Sequence, residues 1–121
     1  MRNKCLNLDK GGVFMAVDFE TVKQLVESYA NDVRNVLPVN KVVLFGSYAK
    51  GTATVQSDID ICFFLDSFGD KRRVDIIREL LSLMHKYKGV YFEPTVFPTS
   101  EIKNDNPFVI EILRTGMEVV L

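Results

Sequence analysis

Cysteine is scarce in this chain, which has two among 121 residues. Cys5 lies in a polar N-terminal stretch and Cys62 lies in an apolar run, so the pair forms neither a disulfide framework nor a metal-ligand spacing. Long apolar runs are also missing: residues 61–65 form one of the longest, whereas crossing a bilayer takes roughly 20 residues. We therefore expect a cytoplasmic protein with no membrane anchor.

An excess of charge of either sign is lacking too. Fifteen Lys and Arg are balanced by sixteen Asp and Glu, which gives a net charge of -1. Nonspecific nucleic-acid binding depends on a broad positive field, so we expect no direct nucleic-acid partner. The length suits a single domain. We expect residues 1–17 to be a loose leader, because Gly11 and Gly12 interrupt it, and residues 18–121 to form the domain.

Apolar periodicity predicts a helix and a strand at the start of the domain. The helix begins at the N-cap residue Asp18 and ends before Pro38. Its apolar stripe comprises Val22, Leu25, Val26, Tyr29, Val33 and Val36. Residues 41–45 are a β-branched apolar run typical of a buried strand, which leads into a turn. We expect a short helix to begin near Ser47 and to end at Gly51.

A second strand is predicted over residues 58–65. Side chains alternate between the two faces of a strand, so every second residue shares a face. One face then carries Asp58, Asp60, Cys62 and Phe64, and the other carries Ile59, Ile61, Phe63 and Leu65. We expect Cys62 to lie in the core, whereas the two aspartates make the first half of one face polar.

The second half of the domain predicts two further helices and two further strands. Asp70 is a candidate N-cap for a helix with the apolar stripe Val74, Ile77, Leu80, Leu81 and Met84. Residues 90–97 form a strand in which Pro94 implies an edge, a bulge or an early end to pairing. Asn106 and Pro107 open a helix that closes at Gly116, and residues 117–121 form a last strand. This order predicts an α/β (α+β) fold in which helices cover a small sheet.

Polar chemistry is concentrated between the first two strands, in the pattern Gly46-Ser47-x3-Gly51-x5-Ser57-Asp58-x-Asp60. A Gly-Ser pair at the end of a strand allows the backbone to approach an anion such as phosphate closely. Asp58 and Asp60 share a face, with Cα atoms roughly 6.5–7 Å apart. Two carboxylates placed so close would favour a hard divalent cation such as Mg²⁺ between them.

This pattern resembles the signature of the DNA polymerase β-like nucleotidyltransferases. The small size and the segment from Asn106 to Gly116 resemble the minimal nucleotidyltransferases of that superfamily, over residues 18–121. The resemblance implies a mixed sheet covered by helices, with Gly46 and Ser47 on the β- and γ-phosphates. It also implies further nucleotide-binding positions at Lys50, Gly51 and Ser57. Catalytic metal ligands would be Asp58, Asp60 and a third carboxylate that matches Glu93.

Three of these positions have competing interpretations. Glu93 is the acidic residue of an otherwise apolar strand, and its alternative is an edge-strand charge left in solvent. Relatives often carry Arg directly after the Gly-Ser pair, where this chain has Tyr48, so Lys50 is the nearer cation for a triphosphate. His85 lies beside the apolar stripe of its helix, and we expect an exposed or boundary side chain rather than a general base.

The resemblance also implies a reaction and a partner. Two Mg²⁺ ions and ATP would support transfer of AMP to a hydroxyl. Proteins of this kind occur with HEPN-type ribonuclease toxins, where they act as type VII-like antitoxins that adenylylate a toxin tyrosine, so a hetero-oligomer or a homo-oligomer is expected. One alternative is a small-molecule nucleotidyltransferase subunit of the aminoglycoside type. The other is a non-catalytic antitoxin that neutralises its toxin by binding alone.

Overall fold

Helices and strands alternate along the protein, whose computed structural model describes residues 19–54 and 57–121. The predicted leader and the predicted cap Asp18 lie outside these residues. The helices and strands are α1 (Phe19–Arg34), β1 (Val39–Phe45), α2 (Gly46–Lys50), β2 (Ile59–Leu65), α3 (Arg73–Ser82), β3 (Phe92–Pro98), α4 (Pro107–Thr115) and β4 (Met117–Glu118). Two 3-10 helices follow α3 and β3, at Leu83–Lys86 and Thr99–Lys103.

The sheet has four strands in the order β3-β2-β1-β4. Strand β1 is antiparallel to both β2 and β4, whereas β2 and β3 are parallel and are connected through α3. The expected mixed sheet with covering helices is therefore confirmed. Pro94 lies on β3, an edge strand, as its missing N–H required.

The two faces of the sheet bury two separate apolar clusters. Every second residue of β2 enters the larger cluster with α1 and α3, and these residues are Ile59, Ile61, Phe63 and Leu65. Cys62 and Phe64 enter the smaller cluster with Val109 and Ile112 of α4. The predicted alternation is confirmed, and Cys62 is a core residue. Burial raises the pKa of its thiol to about 12, so it is not a reactive nucleophile.

Helix α3 starts later than expected, and the face that it buries differs in part from the predicted apolar stripe. The helix begins at Arg73, so Asp70 is not its cap; instead the Asp75 carboxylate accepts a 2.9 Å hydrogen bond from the Arg72 backbone N–H. Val74 and Leu81 were predicted to be buried but are 48% and 47% exposed. The buried residues of this helix are Leu80, which belongs to the predicted stripe, and Ile76, which does not. Apolar residues occur on two adjacent faces of α3, so periodicity alone could not select the buried one.

Smaller differences occur at the ends of the other elements. Val36 follows the end of α1 and is 56% exposed, so it is not part of the buried stripe. Strand β4 pairs only at Met117–Glu118, which is shorter than the expected residues 117–121. The cap of α4 is confirmed: the Asn106 side chain accepts from the backbone N–H groups of Phe108 and Val109, and the helix ends at Gly116.

Candidate active site

The turn from β1 into α2 brings a glycine against an aspartate. Phe45, the last residue of β1, pairs with Asp60 of β2, so the next residue, Gly46, lies beside the Asp60 side chain. Gly46 has a φ of 74°, and a Cβ atom added to it would lie 3.0 Å from Asp60 Cγ and would overlap the carboxylate. Glycine is required here both for its backbone conformation and for space. The Asp60 carboxylate therefore packs directly against the Gly46 backbone.

Asp60 also contacts the third acidic residue of the pattern. The parallel register of β2 and β3 places Asp60 opposite Glu93, so the two carboxyl groups interact. Burial, the interaction with Glu93 and the negative charge of Asp58 raise the pKa of Asp60 to about 6. A bound cation would relieve the repulsion between these neighbouring negative charges.

Asp58 is a neighbour of this pair rather than a member of it. It is exposed and precedes β2, on the face that Asp60 occupies. Within residues 19–54 and 57–121, no three Asp, Glu, His or Cys side chains stand close enough together to hold a metal ion. The donor set still fits a hard dication, because carboxylate oxygens are its preferred ligands and the Asp60 pair is electrostatically unfavourable when both groups are ionised.

The other predicted nucleotide-binding residues surround the same turn. Ser47 lies half-buried in the first turn of α2, and its carbonyl accepts a 2.9 Å hydrogen bond from Thr52. Lys50 ends the helix and is exposed, and Gly51 terminates it with a φ of 77°. Tyr48, which directly follows the Gly-Ser pair, is 7% exposed and belongs to the larger core cluster. It therefore anchors α2 to the core.

Ser57 has a local structural contact. Its hydroxyl accepts a 2.9 Å hydrogen bond from the Thr54 backbone N–H, and its own N–H donates to the Thr54 carbonyl at 3.0 Å. These two bonds close the loop that leads to Asp58. Ser57 thus positions the start of the acidic strand, and its hydroxyl bonds Thr54 rather than the carboxyl pair.

Comparison with known proteins identifies the family. A family model described as nucleotidyltransferase domain matches residues 26–115, which include the β1–α2 turn and all three acidic residues. The chain belongs to this family. The nucleotidyltransferase domain is 33% identical over 85 residues to MJ1305 of Methanocaldococcus jannaschii, named as an inferred protein adenylyltransferase. That match covers 65% of this chain and 56% of MJ1305, so the chain spans about half of that relative.

Two further relatives differ greatly in length. The nucleotidyltransferase domain is 24% identical over 98 residues to MJ0141, a second inferred protein adenylyltransferase of Methanocaldococcus jannaschii, with 79% of this chain and 96% of MJ0141 covered. It is 31% identical over 104 residues to human terminal uridylyltransferase 7, covering 83% of this chain but 6% of that protein. The shared part is thus the domain and not the rest of the longer proteins.

Two solved structures share the fold of the nucleotidyltransferase domain. One is an inferred nucleotidyltransferase from Sulfolobus solfataricus, with a TM-score of 0.59, 18% identity, and coverage of 83% of this chain and 80% of the other. The second is described as a toxin-antitoxin with AMP-PNP, with a TM-score of 0.50, 19% identity, and coverage of 78% and 72%. At these identities the likeness concerns the fold alone.

One residue near the site was missed by the sequence analysis. Tyr91 is 71% exposed and lies two residues before Glu93, on the same face of its strand. The signal was available, because alternation along residues 90–97 already placed these two side chains together. His85, by contrast, is exposed as expected. In the described parts of the chain, no helix is long and apolar enough to cross a membrane.

Proposed function

We propose that this nucleotidyltransferase domain transfers AMP from ATP to a hydroxyl group, specifically a tyrosine of a HEPN-type toxin, and so acts as its antitoxin. The observation that carries the proposal is the meeting of Gly46, Asp60 and Glu93 from three separate elements. The names of two relatives, which are inferred protein adenylyltransferases, support a protein as acceptor. The structural neighbour described as a toxin-antitoxin with AMP-PNP, an ATP analogue, supports both the nucleotide and the partner.

The geometry suggests a division of roles among the residues. Backbone N–H groups at the start of α2, with the Ser47 hydroxyl, would hold the terminal phosphates, and exposed Lys50 would add positive charge. Asp60 and Glu93, together with Asp58, would hold divalent cations, which we expect to be two Mg²⁺ ions. When bound, these ions supply positive charge that favours the acceptor alkoxide and the developing charge on phosphate. Gly46 allows the phosphate tail and the Asp60 carboxylate to share one small space.

A macromolecular acceptor agrees with the small size of the domain. The described helices and strands build the sheet and its two apolar clusters, and both the Glu93 side chain and Asp58 remain exposed. Two cavities of the described residues lie elsewhere, lined by residues of α1, β1 and the segment around β4. An open carboxyl pair suits a hydroxyl presented by another protein better than an enclosed small molecule.

The test is transfer from α-labelled ATP, with Mg²⁺, to a HEPN-type partner encoded beside this chain. We expect label on a partner tyrosine, lowered about 10²-fold or more by Asp60→Asn and by Glu93→Gln, because each removes charge at the reacting phosphate. Asp66→Asn is the matched control, since this carboxylate lies beyond the opposite end of β2 and bonds Asn40 and Thr99. Toxin neutralisation that persists in both site variants would favour the binding-only alternative.

A further inference from the structure

Two further side chains, those of Asp58 and Tyr91, lie beside the carboxyl pair on the same face of the sheet. Pairing of Ile59 with Phe92 and of Asp60 with Glu93 sets the register of β2 against β3. The Ile59 N–H also donates to the Tyr91 carbonyl at 2.8 Å, which extends this pairing by one step. Asp58 and Tyr91 are therefore neighbours, on the same face as Asp60 and Glu93.

Tyr91 differs from the other three tyrosines of the chain. The Tyr29 hydroxyl is buried and donates to the Leu80 carbonyl at 2.6 Å, and Tyr48 is 7% exposed. The Tyr87 hydroxyl donates to Asp32 at 2.6 Å. Tyr91 is 71% exposed, and its side chain makes no hydrogen bond, ring contact or ion pair with residues 19–54 or 57–121. Its phenol is therefore accessible to a reactant.

The order of the strands places Tyr91 on one particular side of a bound nucleotide. Gly46, directly after β1, lies on one side of Asp60, and Glu93 of β3, with Tyr91 just before that strand, lies on the other. Terminal phosphates held at Gly46 put the leaving pyrophosphate toward β1. Phosphoryl transfer aligns the attacking and leaving oxygens roughly in line, so the acceptor enters from the side of β3.

We propose that Tyr91 is itself an acceptor, so that the chain adenylylates its own Tyr91 at its own site; this rests on the proposed function. The phenolic oxygen bonds to the α-phosphorus of ATP, and the bond from that phosphorus to the oxygen bridging to the β-phosphate breaks. Pyrophosphate leaves with the electron pair, and the phenolic proton passes to water. Tyr91 and Glu93 have Cα atoms roughly 6.5–7 Å apart, a separation that a tyrosine side chain can span.

Modification of Tyr91 would also limit the activity of the domain. An adenylyl group on this side chain would lie over Glu93, on the side from which any other acceptor must enter. A chain modified at Tyr91 would therefore transfer less AMP to a partner than an unmodified chain. The site would then be blocked by its own product when no partner is bound.

The experiment uses the full chain with α-labelled ATP and Mg²⁺ but no partner, followed by intact mass measurement and peptide mapping. We expect one adenylyl group per chain, located on Tyr91. Tyr91→Phe, which removes an unbonded hydroxyl, should abolish the label, and so should Asp60→Asn. Tyr87→Phe is the matched control and should keep the label. Label on another residue, or label that persists in Tyr91→Phe, would overturn the assignment.

A mixture of two variants tests whether the reaction occurs within one chain. Tyr91→Phe retains the carboxyl pair but has no Tyr91 phenol, whereas Asp60→Asn has the phenol but a defective site. An equal mixture should stay unlabelled, and label on the Asp60→Asn chain would contradict the intramolecular geometry. If a partner is labelled and Tyr91 is not, this inference fails alone. If neither becomes labelled, the proposed function fails with it.

Discussion

Asp60 and Glu93, which are far apart in the sequence, lie side by side on parallel strands, so that their carboxyl groups interact. Their proximity results from the crossover through α3, which returns the chain to the sheet in parallel with β2. The pairing gives the site a dependence on pH and on divalent cations that can be measured without a substrate.

The first prediction concerns thermal stability without divalent cations. Burial and neighbouring carboxylates raise the pKa of Asp60 from its ordinary value of 3.8 to about 6. Between these two values the folded state binds a proton that the unfolded state has lost. The stability that this proton contributes is complete below about pH 4 and is lost as the pH rises through about 6. Asp60→Asn has no titrating carboxyl group at this position. The difference between its Tm and that of the wild-type chain should therefore increase as the pH rises from about 4 to about 6. Thermal unfolding in a chelator at several pH values measures the difference.

Magnesium provides the complementary measurement at neutral pH. It should raise the Tm of the wild-type chain, because a ligand that binds only the folded state stabilises it. The same addition should leave Asp60→Asn unchanged. Parallel Tm curves for the two proteins, with and without magnesium, would show that the carboxyl pair neither titrates nor binds the ion as described.

The second prediction compares two glycines with positive φ. Gly69 has a φ of 62° and nothing within 4 Å of an added Cβ atom, so Gly69→Ala should cost about 1–2 kcal/mol from backbone strain alone. Gly46→Ala adds the overlap with the Asp60 carboxylate, so it should cost more and should also abolish transfer. Urea unfolding and label transfer test both effects. Equal stability losses with normal transfer would disprove the contact.

The third prediction concerns the support beneath Glu93. Phe92 points to the opposite face, where its ring stacks on Tyr29 with centroids 4.4 Å apart and contacts Tyr87 at 5.6 Å. Phe92→Leu should cost about 1–2 kcal/mol, because aromatic pairs stabilise beyond their buried area. It should lower kcat more than it changes the KM for ATP, since Glu93 shifts while Gly46 stays in place.

Phe97→Leu is the matched control on the same strand. Phe97 packs against Phe64, with centroids 6.2 Å apart, at the end of β3 away from Glu93. The substitution should lower stability by a similar amount and leave kcat near the wild-type value. A loss of kcat that follows stability in both variants would argue against a positioning role for Phe92.

The fourth prediction tests a cap that was foreseen from the sequence. The Asn106 side chain accepts from Phe108 N–H at 3.0 Å and from Val109 N–H at 3.4 Å. Asn106→Ala should therefore cost about 1 kcal/mol, because two backbone N–H groups at the start of α4 lose their acceptor. Asn104→Ala, which removes only an exposed bond to Glu101, should cost less. Equal losses would mean that the cap does not stabilise α4.

Local signals in the sequence were sufficient for much of the fold. Alternation along β2 assigned both faces correctly, and the Asn106-Pro107 pair located the start of α4. Pro94 indicated an edge, a bulge or an early end to pairing, and β3 is an edge strand. Each of these signals depends on one residue or on a strict period of two, so no knowledge of distant parts of the chain was needed.

Features that depend on distant contacts were not available from the sequence. The buried face of α3 is selected by the sheet beneath it, since apolar residues occur on two adjacent faces of the helix. The interaction of the Asp60 and Glu93 carboxyl groups, and the overlap that excludes a side chain at Gly46, arise only from strand register. The roles of Asp58, Asp60 and Glu93 as metal ligands stay predictions that the variants above test.

The register between β2 and β3 limits how the segment that connects them can change in length. Adjacent residues of a strand point in opposite directions, so a shift of β3 by a single position would present the Phe92 ring, instead of an acidic group, beside Asp60. A shift by two positions would present Tyr91 or Thr95. Insertions and deletions in the loops around α3 are therefore compatible with activity only when the two strands keep their alignment, whatever the length of the connecting segment.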